Sequence, residues 1–271
     1  MRLFSVSESQ RRKISLLAAV TGAALWGGLL AATAGAQTAD DLVAKNLEAK
    51  GGLEKIKAIS SLRKTGKLEQ QGFAIAIGLI SEQKPENKLR QSATIQGMSQ
   101  VIAYDGTQGW QINPFQGRRD PELVDEDTTR DLAEGADFYG DLVDYGKKGS
   151  KVEYIGHATV DGDDALLLKV TLKSGDIVKY FLDPETYLEI RTERQIFVRG
   201  SVHESYTDLG SYKKVNGVYF PFSGESGSLH NPGGGAKFTY SAIEANVEIP
   251  DSEFKMPEAA KAAAPTAKLS K

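Results

Sequence analysis

Leu166-Leu167-Leu168-Lys169-Val170-Thr171-Leu172-Lys173 carries the clearest alternation in the chain. Leu166, Leu168, Val170 and Leu172 share one phase of a two-residue period, and Leu167, Lys169, Thr171 and Lys173 share the other. This is the pattern of a β-strand with one face on a core. Working back, Val152, Tyr154 and Gly156 lead to a turn at Asp161-Gly162. Working forward, Ser174-Gly175 turns the chain into Ile177 to Leu182, and Asp183-Pro184-Glu185-Thr186 turns it again. The next strand puts Leu188, Ile190, Thr192, Arg194, Ile196 and Val198 in one phase and Glu189, Arg191, Glu193, Gln195, Phe197 and Arg199 in the other. Further strands are expected at Ser201 to Leu209, Gly217 to Ser223 and Ala236 to Val247. Asn216-Gly217 is a hairpin signal, and Gly224 to Gly235 reads as a glycine-rich loop.

The first half shows the same period. Strands are expected at Leu62 to Gln70, Phe73 to Gln83, Asn87 to Ile95 and Ser99 to Tyr104, with a short one at Gly109 to Ile112. Before them, Leu42, Val43 and Leu47 lie on one side of a short helix with Asp40 and Asp41 near its start. Gly51-Gly52 interrupts it, and Leu53, Ile56 and Ile59 continue a second short helical pattern. The segment 120–145 differs: between Asp120 and Asp144 it has ten acids against Arg130, with Leu123, Val124, Leu132, Phe138, Tyr139, Leu142 and Val143 among them. It predicts an inserted pair of short helices separated near Gly135. The fold class is therefore α+β: about ten or eleven strands in one strongly curved antiparallel sheet, with helices covering its mouth or concave side.

The chain has 271 residues, 33 Lys and Arg, 36 Asp and Glu, three His and no Cys. Arg2, Arg11, Arg12 and Lys13 precede a mostly apolar run from Ile14 to Ala32, and Ala34-Gly35-Ala36 has the small residues of a cleavage site. Residues 1–36 are expected to be a cleaved export signal, with Arg11-Arg12-Lys13 leaving general and twin-arginine routes open. The prefix holds four basic residues and one acid, so 235 residues with 29 basic and 35 acidic groups would remain, at a net charge of −6. That charge disfavours a nucleic acid partner. Residues 37–257 read as a single domain, and 258–271 as an Ala/Lys/Pro-rich flexible tail. The localisation expected is the periplasm, without a lipid anchor, since no Cys follows the apolar run.

Catalytic signals are weak. His157, His203 and His230 form no short metal-binding spacing, and Asp161-Gly162-Asp163-Asp164 lacks the length and terminal Glu of a calcium loop. Ser61-Leu62-Arg63-Lys64 and Lys64-Thr65-Gly66 imitate two serine-enzyme motifs but share Lys64, whereas that chemistry needs them on separate elements. No catalytic residue, metal ligand or cofactor is expected. What stands out is an apolar set: Phe73, Ile75, Ile77, Leu79, Trp110, Phe115, Phe138, Leu142, Phe181, Phe220 and Phe222. These residues form either an ordinary core or the lining of a preformed cavity for acyl chains. Arg194, placed in an apolar phase, needs an acid, a carbonyl or a ligand at the cavity mouth.

Several short signatures follow one another along the chain: Ala49-Lys50-Gly51-Gly52 followed by Ile56 and Ile59, the strand with Gly66, Tyr104-Asp105-Gly106 to Gly109-Trp110, Phe181-Leu182-Asp183-Pro184, and Val215-Asn216-Gly217-Val218-Tyr219-Phe220-Pro221. In this order they resemble the LolA/LolB-like superfamily of periplasmic lipoprotein carriers. The resemblance spans Asp40 to Glu248. It implies a half-open barrel closed by helices over an apolar cavity, and a non-enzymatic role. That role is carriage or binding of a lipid or of lipoprotein acyl chains. The alternative it leaves open is a cell-envelope sensor or scaffold that binds an inner- or outer-membrane protein partner. A gating arginine of the carrier kind could correspond to Arg63, Arg90 or Arg194.

Overall fold

The computed structural model describes residues 37–258, except Phe73, Ala74 and Arg199. The expected export signal and residues 259–271 of the expected tail lie outside the described residues. Helix α1 (Ala39–Ala49) starts with a capping box. The Thr38 hydroxyl accepts from the Asp41 N–H at 3.1 Å, and the Asp41 carboxylate accepts from the Thr38 N–H at 3.2 Å. The chain then breaks at Gly51, whose φ is +127° and whose Cα faces the Gly217 carbonyl so closely that a Cβ would stand 2.2 Å from that oxygen. Helix α2 (Leu53–Lys57) follows as little more than one turn.

Six strands then form a meander: β1 (Leu62–Gln70), β2 (Ile77–Lys84), β3 (Lys88–Ile95), β4 (Met98–Tyr104), β5 (Gly109–Asn113) and β6 (Arg118–Leu123). Helix α3 (Glu126–Gly135) and a run of turns through Phe138 to Gly149 lead to a second meander. It consists of β7 (Lys151–Val160), β8 (Asp163–Thr171), β9 (Ile177–Leu182), β10 (Glu189–Val198) and β11 (Ser201–Gly210). A separate two-stranded ribbon, β12 (Lys213–Val215) with β13 (Val218–Phe220), turns at Asn216-Gly217, where both residues have positive φ. Strands β14 (Ser223–Ser228) and β15 (Asn231–Ala245) complete the main sheet.

The strand order is β6-β5-β4-β3-β2-β1-β15-β14-β11-β10-β9-β8-β7, with every neighbouring pair antiparallel. This corrects the expected strongly curved, half-open barrel of about eleven strands. The sheet has thirteen strands in an open linear order, and β6 and β7 are its two edges. The two meanders are joined not end to end but through β15, which pairs with β1 along one side and β14 along the other.

Two segments differ from their sequence reading for local reasons. The segment 120–145 holds one helix rather than two. Its beginning is edge strand β6, where Pro121 needs no ladder partner for a missing N–H. The glycine-rich stretch after Ser223 is largely strand because its glycines make room for rings. A Cβ on Gly224 would stand 2.4 Å from Phe238 Cζ, and one on Gly227 would stand 3.0 Å from the Tyr206 ring.

The core lies mostly on one face. Leu42 and Val43 of α1 and Leu142 pack on Leu166, Leu168 and Val170 of β8 with Val178 and Leu182 of β9. Ile56 of α2, Ile59, Leu62, Val143, Val218, Phe222 and Ile243 form the adjoining cluster. Leu132 and Ala136 at the end of α3 meet Leu89 and Tyr104 farther along the same face. The opposite face has two smaller clusters, Val101-Ala103-Trp110 and Val160-Ala165-Phe181.

Candidate functional site

Between the helix-bearing face of the sheet and the β12–β13 ribbon lies a cleft of about 260 Å³. Its floor is Leu62 and Lys64 of β1 with Gln83 of β2, paired in register. One wall is Ile56 and Ile59, a second is the turn Asp137 to Gly140, and a third is Val218 to Pro221 of the ribbon. The ribbon is pinned by one backbone hydrogen bond, in which the Tyr219 N–H donates to the Lys50 carbonyl at 2.7 Å. The close approach of Gly51 to Gly217 lets it sit there. Phe138 and Tyr139 meet edge to face, with ring centroids 5.0 Å apart.

The charges at the cleft are unequally matched. Lys50 donates to Glu189 at 3.0 Å, and that carboxylate, 4% exposed as a residue, also accepts from the Tyr212 hydroxyl at 3.2 Å. Burial alone would raise the Glu189 pKa, but the Lys50 ammonium, together with hydrogen bonds from the backbone and Asn46, holds the group below its ordinary value. Asp137 accepts from Lys148 at 2.5 Å. The Lys64 side chain makes no hydrogen bond or ion pair among the described residues. Burial, helped by repulsion from Lys50, lowers its pKa from 10.5 to about 8.

The apolar residues singled out from the sequence are not gathered in one place. Phe138 and Phe220 line the cleft, and Phe222 packs in the cluster beneath it. Leu142 belongs to the neighbouring core under α1. Ile77 and Leu79 are half-buried on β2, paired with Leu68 and Gly66 of β1, in the phase of Leu62 and Lys64 but farther along the strand. Trp110 and Phe181 are in the opposite phase: Trp110 packs on Val101 and Ala103 and donates its Nε1–H to the Phe254 carbonyl at 2.7 Å, and Phe181 packs on Val160 and Ala165. Ile75 and Phe115 are exposed, at 47% and 43%. Phe73 lies outside the described residues.

Arg194 does meet an acid. Its Nη2 donates to Glu134 of α3, while its buried Nε has no partner. Arg130, one turn earlier on α3, donates to the Phe197 carbonyl at 2.9 Å, so two arginine contacts tie α3 to β10. Burial raises the Glu134 pKa despite hydrogen bonding from Ser174 and the nearby guanidinium. A second hollow of about 410 Å³ adjoins this pair, lined by Glu134, Asp137, Asp141, Lys148 and Lys173 among others. The residues missed from sequence are Lys64, Ile56, Ile59 and Val218. Lys64 had a readable signal: it interrupts the phase Leu62, Lys64, Gly66, Leu68 as Arg194 interrupts its own.

Among the described residues no group of three or more His, Asp or Glu is arranged to hold a metal ion. No helix there is long and apolar enough to cross a membrane.

No protein-family model and no curated protein matches the chain. Solved structures do. A LolA superfamily protein from Nitrosomonas europaea superposes with a TM-score of 0.56 at 15% identity, over 81% of this chain and 98% of that one. A DUF1329 family protein from Desulfovibrio piger gives 0.54 at 11% identity, over 80% and 97%. A putative outer membrane lipoprotein-sorting protein domain from Vibrio parahaemolyticus gives 0.50 at 10% identity, over 78% and 97%. The likeness read from the sequence is thus a likeness of structure: the chain has the fold of LolA-superfamily and lipoprotein-sorting proteins.

Proposed function

We propose that the protein is a periplasmic carrier or binding protein for a lipid or for the acyl chains of lipoproteins, and that the cleft beside the β12–β13 ribbon is where the apolar part of the ligand enters. The observation that carries the reading is the composition of that cleft. Ile56, Ile59, Leu62, Phe138, Val218 and Phe220 supply apolar walls around a space of about 260 Å³. The fold shared with a LolA superfamily protein and a lipoprotein-sorting domain supports it. Export to the periplasm is part of the same reading, supported by the basic and apolar pattern of residues 2–36.

Purification from the native envelope, followed by mass spectrometry of extracted lipids, tests it. A stoichiometric amphiphile is the expected result. Recovery of no amphiphile together with a stably bound protein would favour the sensor or scaffold alternative.

A further inference from the structure

Three charged groups stand at the cleft on separate elements, and two are already neutralised. Lys50, at the end of α1, is held by Glu189 at 3.0 Å, and Asp137, in the turn after α3, is held by Lys148. Lys64 alone has no partner among the described residues, and its cross-strand neighbours Ser81 and Ile243 offer no charge. A cation set among Ile56, Ile59 and Leu62 without a counter-ion loses hydration and gains nothing in return. An anion delivered by a ligand would supply what the protein leaves out.

The chemistry of that anion is restricted. A doubly charged phosphate calls for several donors, such as an Arg fork or backbone N–H groups at a helix start, because a single Lys meets it only as a point charge. The cleft has neither: no Arg lines it, and α2 is five residues long. One ammonium on the floor, with the Gln83 amide beyond it already donating to the Gly135 carbonyl, matches one carboxylate. At about 30 Å³ per small group, the liquid share of a water molecule, 260 Å³ corresponds to about nine groups, head included.

We infer that the cleft selects a single-chain carboxylate, with Lys64 as the anchor of its head and the apolar walls holding about seven or eight carbons of its tail. This rests on the proposed acyl-binding role and specifies the ligand class of the same site. The depressed Lys64 pKa agrees with it, since an ammonium that is poorly solvated in the empty cleft has most to gain from a counter-ion. The other titratable groups facing the cleft are Lys50, Asp137, Tyr139 and Tyr219.

Calorimetric titration of the purified chain with decanoate and with 1-decanol separates the two levels of the argument. At pH 7 decanoate should bind about tenfold more tightly than decanol, the value of one charge-assisted hydrogen bond. In Lys64→Met the carboxylate preference should disappear, with the fold of the variant checked by circular dichroism and its urea midpoint. In Lys64→Arg the preference should persist. Equal affinity for the two probes in the native chain, or a preference unchanged in Lys64→Met, would overturn the carboxylate anchor and leave the acyl-binding reading standing. Binding of neither probe would overturn both.

Discussion

Lys64 makes a thermodynamic demand that is visible without any ligand. Its pKa falls from 10.5 to about 8 on folding, so between those values the unfolded chain binds more protons than the folded one. Folding stability should therefore rise with pH through this window. Below pH 8 both states hold the proton and the full cost of burying it is present; above 10.5 the cost is gone. Lys64→Met should stabilise the empty protein by about 1–3 kcal/mol at pH 7, allowing for solvent in the cleft, and the gain should shrink to nothing by about pH 10.5. Urea denaturation of both proteins at a series of pH values measures it; a gain that did not depend on pH would mean that the lysine is well solvated. Arg194 raises the opposite issue, because its partner is inside the protein. Arg194→Leu strands the partly buried Glu134 and should cost about 1–3 kcal/mol, much of it restored by adding Glu134→Leu. A double-mutant cycle that showed no coupling would remove the pair as the tie between α3 and β10.

At the scale of elements, the strands were readable because each has one face on a core and the other toward solvent or a second cluster. Strand β8 shows this directly: Leu166, Leu168 and Val170 are buried on the face that carries α1, as their alternation implied. Strand β6 was not readable because an edge strand needs no buried phase, and Arg118-Arg119-Asp120-Pro121 looks like a loop by composition. The glycine-rich strand β14 was hidden for another reason: its partners are aromatic rings on β11 and β15, and the sequence of one strand does not show what lies across from it. The site suffered from the same blindness to pairing. Trp110 and Phe181 are as apolar as Phe138 and Phe220, but a phase assignment within a strand does not say which face of the sheet it becomes. A sharper test of register lies at Gly66, where β1 slips against β15 and a Cβ would stand 2.2 Å from the Thr239 carbonyl oxygen and 2.8 Å from Tyr240 Cα. Backbone atoms cannot swing aside, so Gly66→Ala should cost about 3 kcal/mol, seen as a lower denaturation midpoint. A midpoint unchanged by the substitution would show that the slip is not fixed by this contact.

For the whole molecule, the fold class was half legible. Antiparallel pairing and the overall strand density followed from the turns, but the number of strands and the absence of closure did not, since both depend on which strand meets which. The decisive pairing is that of β15, the last and longest strand, with β1, the first. Two meanders that could each fold locally are therefore completed only when the C-terminal part of the chain arrives. Amide hydrogen exchange should show the slowest protons in β1, β15 and β8, and the fastest in edge strands β6 and β7. Slow exchange in β6 would mean that this edge is covered by another chain in solution.

The β12–β13 ribbon shares no ladder with the thirteen-stranded sheet, yet it supplies one wall of the cleft. Floor and wall are therefore separate mechanical parts, coupled at the Tyr219–Lys50 hydrogen bond and the Gly51–Gly217 contact. The bore of the site can then be reset by the length or tilt of a three-residue hairpin arm, without a single strand of the load-carrying sheet changing register. A scaffold partitioned in this way can alter the shape of the cleft while its folding problem stays the same.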